Sequence, residues 1–242
     1  MKDKVILITG ATSGIGQAMA RHFHKLGATI VMAARSEEKL QAMKAELGSR
    51  VYAVSVDFTE LDATKKVFEY CRSEKLVLDA AVHSAGITLN CPLKANDPEQ
   101  TEKLFRVNTM AFMEICHYAA SKRYMREGGS IIGLSSTAAF CRYKGLTAYS
   151  ASKAAVEAVV KVASMELIGR KIRVNAIAPA DVDTPMFHSS VEEAPEIAAR
   201  LSVVQPLGLI QPQRLAELAE FLISDSACYI TGERIVVGSG VF

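Results

Sequence analysis

The sequence lacks the charge imbalance and the long apolar runs that mark several classes of protein. Its 28 basic and 26 acidic residues leave a formal net charge of +2 over 242 residues, which gives no sign of a nucleic-acid or membrane surface. No segment approaches the roughly 18 uninterrupted apolar residues of a membrane-spanning helix. The apolar run that follows Lys4 is too short for a signal peptide. We therefore expect a cytoplasmic protein that has neither a nucleic-acid partner nor a membrane partner.

Paired cysteines and metal-ligand spacings are also missing. The five cysteines include no Cys-x-x-Cys pair, which favours packing residues in a reducing compartment over a disulfide framework. The five histidines show no metal spacing either. His22 and His24 stand two apart on a predicted helix and would point to different faces. We predict no metal site.

What the sequence does have is a repeated alternation of short apolar runs with longer helical segments. The runs predict strands over residues 4–9, 29–33, 51–56, 80–82, 131–134, 173–178 and 234–237. The intervening segments predict helices that begin near residue 15, span 37–47, 62–73, 99–124 and 213–224, and run through 154–168 from an opening at Tyr149. This order predicts an α/β fold, a doubly wound parallel sheet of the Rossmann type with helices on both faces.

The alternation lapses between Pro185 and Pro206. A stretch of this length without regular sheet structure is typical of a functional lid or of a disordered segment. We expect a substrate-binding loop over residues 185–206. No linker or low-complexity stretch divides the chain, so residues 1–242 are predicted to form one domain.

A glycine-rich turn, Thr9-Gly10-Ala11-Thr12-Ser13-Gly14-Ile15-Gly16, joins the first predicted strand to the first helix. Its glycines let the backbone turn tightly and approach a diphosphate, which the positive end of the helix would stabilise. The spacing is Gly-x-x-x-Gly-x-Gly rather than the usual Gly-x-Gly-x-x-Gly. A simple glycine turn is the alternative, but the strand before it and the helix after it favour a nucleotide site.

The end of the second strand indicates which nucleotide is bound. An NAD site normally has a carboxylate there for the ribose diol, whereas this chain has Ala33-Ala34-Arg35-Ser36. Arg35 could bind a 2′-phosphate and Ser36 could add a hydrogen bond, so NADP is favoured over NAD. The alternative is an arginine at a solvated helix start, since Glu37-Glu38-Lys39 follows.

Further polar positions follow the third and fourth strands. Asp57 could contact the adenine or could cap the next segment. After the fourth strand, Gly86 would let the backbone pass close to the cofactor's ribose. Asn108 interrupts the apolar face of the 99–124 helix. A buried amide there must be satisfied, so it is either a structural hydrogen-bonding group or the holder of an ordered water.

Tyr149 and Lys153 stand four residues apart in a predicted helix and therefore lie on one face. A free tyrosine has a pKa of about 10 and is a poor acid–base catalyst near neutrality. A nearby ammonium favours the phenolate and would lower that pKa towards working pH. An ordinary helix start is the alternative for an isolated Tyr-x-x-x-Lys.

The chain resembles the short-chain dehydrogenase/reductase family. The resemblance rests on the order of the Gly10–Gly16 turn, Asn108, Ser136, Tyr149 and Lys153 along the sequence. The resemblance runs from Lys4 to about Val237. It is highly specific because a serine 13 residues ahead of Tyr-x-x-x-Lys, an upstream asparagine and the strand-glycine motif occur together. It implies a sheet of about seven strands in the order 3-2-1-4-5-6-7 and a homotetramer, with a homodimer as the alternative. The preference for NADP(H) rests on Arg35.

The resemblance also implies roles for residues. Tyr149 would be the general acid in carbonyl reduction and the base in alcohol oxidation, and Lys153 would lower the pKa of Tyr149 and hold the nicotinamide ribose. Ser136, rather than Ser135, would bind the substrate oxygen, and Asn108 would hold a water. Thr184 matches the threonine that contacts the carboxamide. The positions predicted to hold NADP(H) are Gly10, Thr12, Ser13, Gly14, Ile15, Gly16, Arg35, Ser36, Asp57, Phe58, Ser84, Ala85, Gly86, Tyr149, Lys153, Pro179, Val182 and Thr184.

Some positions depart from the family pattern. His83-Ser84-Ala85-Gly86 replaces Asn-Asn-Ala-Gly, and His83 is expected to bond across to a neighbouring strand. Ala180 replaces a glycine near the nicotinamide, and Ser13 stands where NADP enzymes of the family often have a basic residue. The end, Gly238-Ser239-Gly240, differs from the usual Asp-Gly-Gly.

These features predict a reversible NADPH-dependent reductase of a ketone or aldehyde. A 3-oxoacyl-carrier-protein reductase is one alternative. In that subfamily two arginines face the carrier protein. This chain has an arginine at one of these positions, Arg170, and a glutamate at the other, Glu127. A non-catalytic NADP-binding sensor or structural protein is the other alternative. The residues predicted to line the substrate pocket are Phe140, Tyr143, Met186, Phe187 and His188, with Arg142 and Lys144 near enough to serve an anionic substrate.

Overall fold

The computed structural model describes residues 1–193, 201 and 205–238. Seven strands form one parallel sheet in the order β3-β2-β1-β4-β5-β6-β7. The strands are β1 (Val5–Thr9), β2 (Thr29–Ala34), β3 (Val51–Ser55), β4 (Leu78–His83), β5 (Met125–Leu134), β6 (Arg173–Pro179) and β7 (Arg234–Val237). The predicted parallel sheet and its strand order are confirmed.

The α-helices given by the described residues connect these strands. They are α1 (Gly14–Lys25), α2 (Glu37–Leu47), α3 (Ala63–Ser73), α4 (Pro98–Phe105), α5 (Ala111–Ala119), α6 (Thr147–Leu167), α7 (Pro185–Glu193) and α8 (Pro212–Ile223). A π-helical turn, Arg106–Met110, joins α4 to α5. None of the described helices combines the length and the apolar character needed to cross a bilayer.

Each face of the sheet is covered by its own apolar core. Because successive side chains of a strand point to opposite faces, Leu7 of β1 belongs to one core and Ile8 to the other. The first core contains Phe68 of α3 and Val156 of α6, and the second contains Phe23 of α1. Burial on both faces explains why β1 reads as a continuous apolar run, and the predicted two-sided helix packing is confirmed.

The predicted helix over residues 99–124 is wrong at its centre and at its end. The structure has α4, the π-helical turn and α5 in this region, and α5 ends at Ala119. The glycine pair Gly128-Gly129, whose composition is typical of a helix end, lies within β5. The β4–β5 register shifts between Leu78 and Ala80, and Gly128 has a φ of 77°, so the glycines accommodate a sheet irregularity.

The segment predicted as a lid begins with regular structure. Residues 185–193 form α7 rather than an irregular loop. Ahead of it, Val182 forms a parallel bridge to Ile210. The predicted lid positions 194–200 and 202–204, and the C-terminal departure at 239–240, lie outside the described residues.

Candidate active site

A cleft runs along the carboxyl ends of the strands, where ligands of doubly wound sheets bind. It consists of a cavity of about 550 Å³ around Tyr149 and an adjoining one of about 400 Å³ beside Arg35. The two share lining residues, which are Ile15, Ser84, Gly86, Ile87, Thr184 and Met186. Within the described part of the chain, no cluster of three or more His, Cys, Asp or Glu side chains has the proximity of a metal site.

The glycine turn packs backbone against backbone with the loop that follows β4. Gly10 has a φ of 65°, and a Cβ there would lie 2.8 Å from the Ala85 nitrogen, so only glycine fits this position. Gly16 was predicted to hold cofactor but is absent from the lining of both cavities. It packs behind the cleft, where a Cβ would clash with the Gly10 carbonyl. Its role is therefore the close approach of α1 to the turn.

The N-terminus of α1 faces the smaller cavity through Ser13, Gly14 and Ile15. Ser13 is the N-cap residue, but its side chain accepts no capping hydrogen bond, and the first turn has no acidic residue. The N–H groups and the positive end of the helix dipole therefore retain their capacity for an anion. This arrangement fits the diphosphate of a dinucleotide.

Two basic side chains lie at the far end of the smaller cavity. Arg35 is exposed there, and Lys39 lines the same space. Ser36 lines it as well and is the N-cap of α2, its Oγ accepting from the Lys39 N–H at 3.2 Å. The sequence interpretation placed Lys39 in a solvated helix start. The available signal was its place in the first turn of the helix that begins directly after Arg35-Ser36.

Asp57 and Phe58 form one wall of the smaller cavity. The Asp57 Oδ1 accepts from both the N–H and the hydroxyl of Thr59, each at 2.9 Å. The capping alternative for Asp57 is therefore observed, on a residue that also faces the cleft. Phe58 is buried and meets the His83 ring edge to face, with the ring centroids 6.0 Å apart.

Tyr149 and Lys153 project from α6 into the larger cavity. The Lys153 Nζ lies 5.7 Å from the centroid of the Tyr149 ring and donates to the Leu134 carbonyl at 2.8 Å. Desolvation lowers the pKa of Lys153 to about 8, because burial penalises the charged form. The expectation that the two side chains share one space is confirmed.

The expected direction of the Tyr149 pKa shift is wrong in this structure. Although part of the residue remains accessible, desolvation raises the pKa of Tyr149 to about 12, against the opposing effect of a hydrogen bond with Ser136. The Asp181 carboxylate adds to the rise. Removing the phenol from water outweighs the effect of Ser136, so Tyr149 is protonated at neutral pH.

The two adjacent serines have different partners. The Ser135 Oγ donates to Glu157 Oε1 at 2.7 Å, which turns this hydroxyl away from Tyr149. The Ser136 Oγ accepts from the Ala138 N–H at 3.1 Å, and Ser136 is the serine that acts on the pKa of Tyr149. The structure thus brings Ser136, and not Ser135, to the tyrosine.

Asn108 lies on the π-helical turn and is fully buried. Its Oδ1 accepts from the Ile87 N–H at 2.9 Å, and its Nδ2 donates to the Ile87 carbonyl at 3.0 Å and to the Ser152 Oγ at 3.1 Å. The structural alternative for this amide is therefore observed. A Cβ on Gly86 would lie 3.4 Å from Asn108 Oδ1 and 3.5 Å from Lys153 Nζ, so Gly86 keeps the space between these two groups free of side chain.

The end of β6 and the segment after it line the larger cavity through Pro179, Val182 and Thr184. Thr184 also contacts the glycine turn, since a Cβ on Gly14 would lie 3.1 Å from Thr184 Cγ2. Asp181 lines the same cavity and was missed by our sequence reasoning. Asp181 could have been found from the sequence, because it directly follows Pro179-Ala180 at the predicted end of the sixth strand. The sequence interpretation used only the replacement of glycine by Ala180 there.

Three of the five residues predicted to contact substrate line the larger cavity, namely Tyr143, Met186 and Phe187. Phe140 and His188 are not among its lining residues. The centroid of the Phe140 ring lies 4.0 Å from the Arg234 guanidinium carbon. The His188 Nε2 lies 2.8 Å from the Asp183 Oδ1 and forms a hydrogen bond with it. Of the two cations expected nearby, Lys144 lines the cavity and Arg142 does not. The sequence reasoning missed Thr88, Asn90 and Cys91, which also line it.

Comparisons with known proteins place this site in a family. A family model described as enoyl-(acyl carrier protein) reductase matches residues 10–242. The 3-oxoacyl-[acyl-carrier-protein] reductase of Thermotoga maritima is 35% identical over 245 residues, which cover 100% of this chain and 98% of the relative. The chain belongs to the short-chain dehydrogenase/reductase family. Another relative, 3beta-hydroxysteroid dehydrogenase 1 of Eggerthella lenta, is 31% identical, and the match covers 100% of this chain and 94% of the relative.

Solved structures of the same oxidoreductase family superpose closely. A short-chain type dehydrogenase/reductase from Mycobacterium ulcerans has a TM-score of 0.91 at 30% identity, covering 99% of this chain and 90% of that one. The angucycline C-6 ketoreductase LanV, solved with bound NADP, has a TM-score of 0.88 at 27% identity, covering 98% and 95%. These short-chain dehydrogenases/reductases therefore share the fold over nearly the whole chain.

Proposed function

We propose that the protein is an NADP(H)-dependent reductase of a ketone or aldehyde that also oxidises the corresponding alcohol. The observation that supports this most is the placement of Tyr149 and Ser136 together in the cavity that adjoins the dinucleotide-type cleft. A binding module has no need of a buried proton donor at that position.

The residues of the cleft fit NADP(H). The glycine turn and the N-terminus of α1 would hold the diphosphate, and Arg35 and Lys39 would hold the 2′-phosphate. Lys153 would hold the nicotinamide ribose, and Thr184 the carboxamide. When bound, the cofactor supplies or accepts the hydride, and the protein supplies position and the proton. LanV, which is similar to this chain, carries NADP.

The proton chemistry follows from the pKa values of the site. Burial raises the pKa of Tyr149 to about 12, so its hydroxyl stays protonated and can donate to a carbonyl oxygen as negative charge develops there. Ser136 would donate a second hydrogen bond to the same oxygen. The Lys153 ammonium, beside the Tyr149 ring, would stabilise the phenolate that remains after the proton leaves.

Replacing the acid tests the mechanism. Tyr149→Phe should lower kcat for NADPH-dependent carbonyl reduction by about 100-fold to 10,000-fold, while NADPH binding, followed by fluorescence titration, stays unchanged. Tyr143→Phe is the matched control, because Tyr143 lines the same cavity. Undiminished turnover in Tyr149→Phe would refute the role of Tyr149. Binding of NADPH with no turnover on a broad carbonyl panel would favour the non-catalytic sensor.

Reduction of a 3-oxoacyl group on a carrier protein is the second candidate, because the Thermotoga maritima relative bears that activity in its name. Two contacts weigh against it. The Arg170 guanidinium is bound to the carbonyls of Ala119 and Met125 at 2.7 and 2.6 Å. Glu127, exposed and paired with Lys171 at 3.5 Å, would repel an acidic carrier surface. The same thioester should thus react no faster on a carrier protein than on coenzyme A, and a strong preference for the carrier form would favour this candidate.

We further propose that the protein acts in the cytoplasm as a homotetramer, with a homodimer as the alternative. The apolar side chains exposed along α6, Val162 and Met165, together with Ile168 just after it, support association. We also propose that residues 1–242 form one domain.

A further inference from the structure

His83 ends β4 in the middle of the sheet and is 1% exposed. Both of its ring nitrogens have partners. The Nδ1 lies 2.9 Å from the Thr9 Oγ1 at the end of β1, and the Nε2 lies 2.9 Å from the Val107 carbonyl oxygen in the π-helical turn. One side chain therefore links two neighbouring strands to the segment that carries Asn108.

The directions of these hydrogen bonds follow from the partners. A carbonyl oxygen only accepts, so the Nε2 carries the hydrogen that is donated to Val107. In the neutral ring, the Nδ1 then accepts from the Thr9 hydroxyl, whose oxygen in turn accepts from the Ala85 N–H at 3.0 Å. Desolvation and the Lys153 charge lower the pKa of His83 to about 3, which keeps this neutral form.

The π-helical turn explains why the Val107 carbonyl receives a side-chain donor. The Ala111 N–H donates to the Arg106 carbonyl, five residues back. In an α-helix it would donate to Val107, four residues back. The wider turn therefore diverts that N–H from the Val107 carbonyl, and the imidazole N–H is donated to it instead. π-turns inside α-helices occur frequently at functional sites.

The residue after Val107 connects this contact to the active site. Asn108 bonds to both backbone groups of Ile87 and to the Ser152 Oγ. The Ser152 Oγ donates in turn to the Tyr149 carbonyl at 2.7 Å. A shift of the π-helical turn would therefore move Asn108 relative to the backbone of Tyr149.

We propose that His83 is a positioning residue, which holds the π-helical turn through Val107 and thereby sets Asn108 against the Tyr149–Lys153 pair. The inference rests on the proposed function, because it concerns the same active site. The asparagine that the family usually has at this position carries its amide closer to its own backbone than imidazole carries the Nε2. In this chain it is the more distant ring nitrogen of His83 that contacts the π-helical turn.

The first experiment compares turnover in His83→Asn and the wild type. We expect kcat to fall by about 10-fold to 100-fold, since small misplacements of a site cost this much, with the KM for NADPH little changed. Asn175→Ala is the matched control, because Asn175 is a fully buried amide that bonds to Ile230 and Glu233. It should lower Tm while leaving kcat unchanged. Equal effects of the two variants on kcat would reduce His83 to a structural residue.

A double-mutant cycle separates positioning from general stability. If His83 acts through Asn108, His83→Asn should lower kcat no further in an Asn108→Ala background, because coupled residues are not additive. Additive losses would overturn the proposal. This outcome is distinct from failure of the proposed function, which would leave wild type without turnover on any carbonyl compound.

Two measurements need no turnover. The Ile87 amide, bonded to Asn108 Oδ1, should exchange its hydrogen faster in His83→Asn than in wild type and not faster in Asn175→Ala. Should His83→Asn fail to fold, nitrogen NMR of the wild-type imidazole decides the matter. A protonated Nε2 and an unprotonated Nδ1 between pH 5 and 8, as expected from the contacts, support the proposal, and the opposite tautomer overturns it.

Discussion

Burial shifts the pKa values of the two residues at the centre of the site in opposite directions. It raises the pKa of Tyr149 to about 12 and lowers that of Lys153 to about 8, because desolvation disfavours the phenolate and the ammonium alike. At neutral pH the pair therefore consists of a neutral acid and a cation. This is the protonation state that carbonyl reduction requires.

The same shifts predict how carbonyl reduction depends on pH. Because the pKa of Lys153 is lowered to about 8, its charge is lost as pH rises through that value, and kcat/KM should decline above it. In Lys153→Arg the side chain stays charged, so this alkaline decline should disappear even if the maximal rate is lower. Steady-state profiles from pH 6 to 10 check this. Lys144→Arg, a change in the same cavity, should keep the decline, and its persistence in Lys153→Arg would contradict the assignment.

For these individual residues, the sequence predicted which side chains lie together but not the direction in which the pKa of Tyr149 shifts. A four-residue helical spacing was sufficient to pair Tyr149 with Lys153, and the family spacing selected Ser136. The direction of the tyrosine shift depended on how much water the fold removes. That quantity is absent from any local pattern.

The start of α2 shows how one element combines stability with recognition. Ser36 caps the helix through its Oγ, and the cap presents Arg35 and Lys39 to the smaller cavity. Glu37 and Glu38 occupy the first turn, where their negative charges interact favourably with the positive end of the helix dipole. The basic residues on either side of them supply the positive charge suited to a 2′-phosphate.

Cofactor choice should depend on this element. Arg35→Ala should raise the Kd for NADPH by about 10-fold to 100-fold, because hydrogen bonds to a charged group contribute about 1.5–3 kcal/mol. The Kd for NADH should change little. Fluorescence titration of both nucleotides checks this, with Arg126→Ala as the control, since Arg126 is exposed and pairs with Asp79 at the start of β4. Equal losses for NADPH and NADH would refute the 2′-phosphate assignment.

The segment between β4 and β5 shows where pattern reasoning fails for an element. A continuous helical pattern over residues 99–124 does not distinguish an α-turn from a π-turn, because one extra residue per turn barely alters local periodicity. The glycine pair Gly128-Gly129 has the composition of a helix end, yet it accommodates the register shift of β5 against β4. Strand pairing, which is not local, decides between these outcomes.

The whole molecule brings the site together through the order of its strands. Strand β1 lies between β2 and β4, and β4 lies next to β5, so Thr9, His83 and Leu134 end at neighbouring points of one edge. Residues distant in sequence are held there by a core on each face. The cleft is consequently a property of the sheet rather than of any single motif.

Association of copies should depend on the exposed apolar side of α6. Met165 is 72% exposed, and Val162 and Ile168 stand three residues on either side of it. We expect Met165→Glu to lower the mass measured by light scattering below that of wild type, towards the 26.2 kDa of one chain, because a charge opposes burial there. Gln41→Glu on α2 adds the same charge to a polar surface and should leave the mass unchanged. A wild type that is already monomeric would contradict the proposed tetramer.

Features that depend on local periodicity could be predicted from the amino-acid order alone. Apolar runs predicted the buried strands, the glycines predicted the tight turn after β1, and helical spacing paired Tyr149 with Lys153. Features that depend on packing between distant segments became visible only in the folded chain. It turned Ser135 towards Glu157, Phe140 towards Arg234 and His83 towards Val107, and it raised the pKa of Tyr149. Desolvation and hydrogen-bond partners are set by residues distant in the chain, so no local pattern contains them.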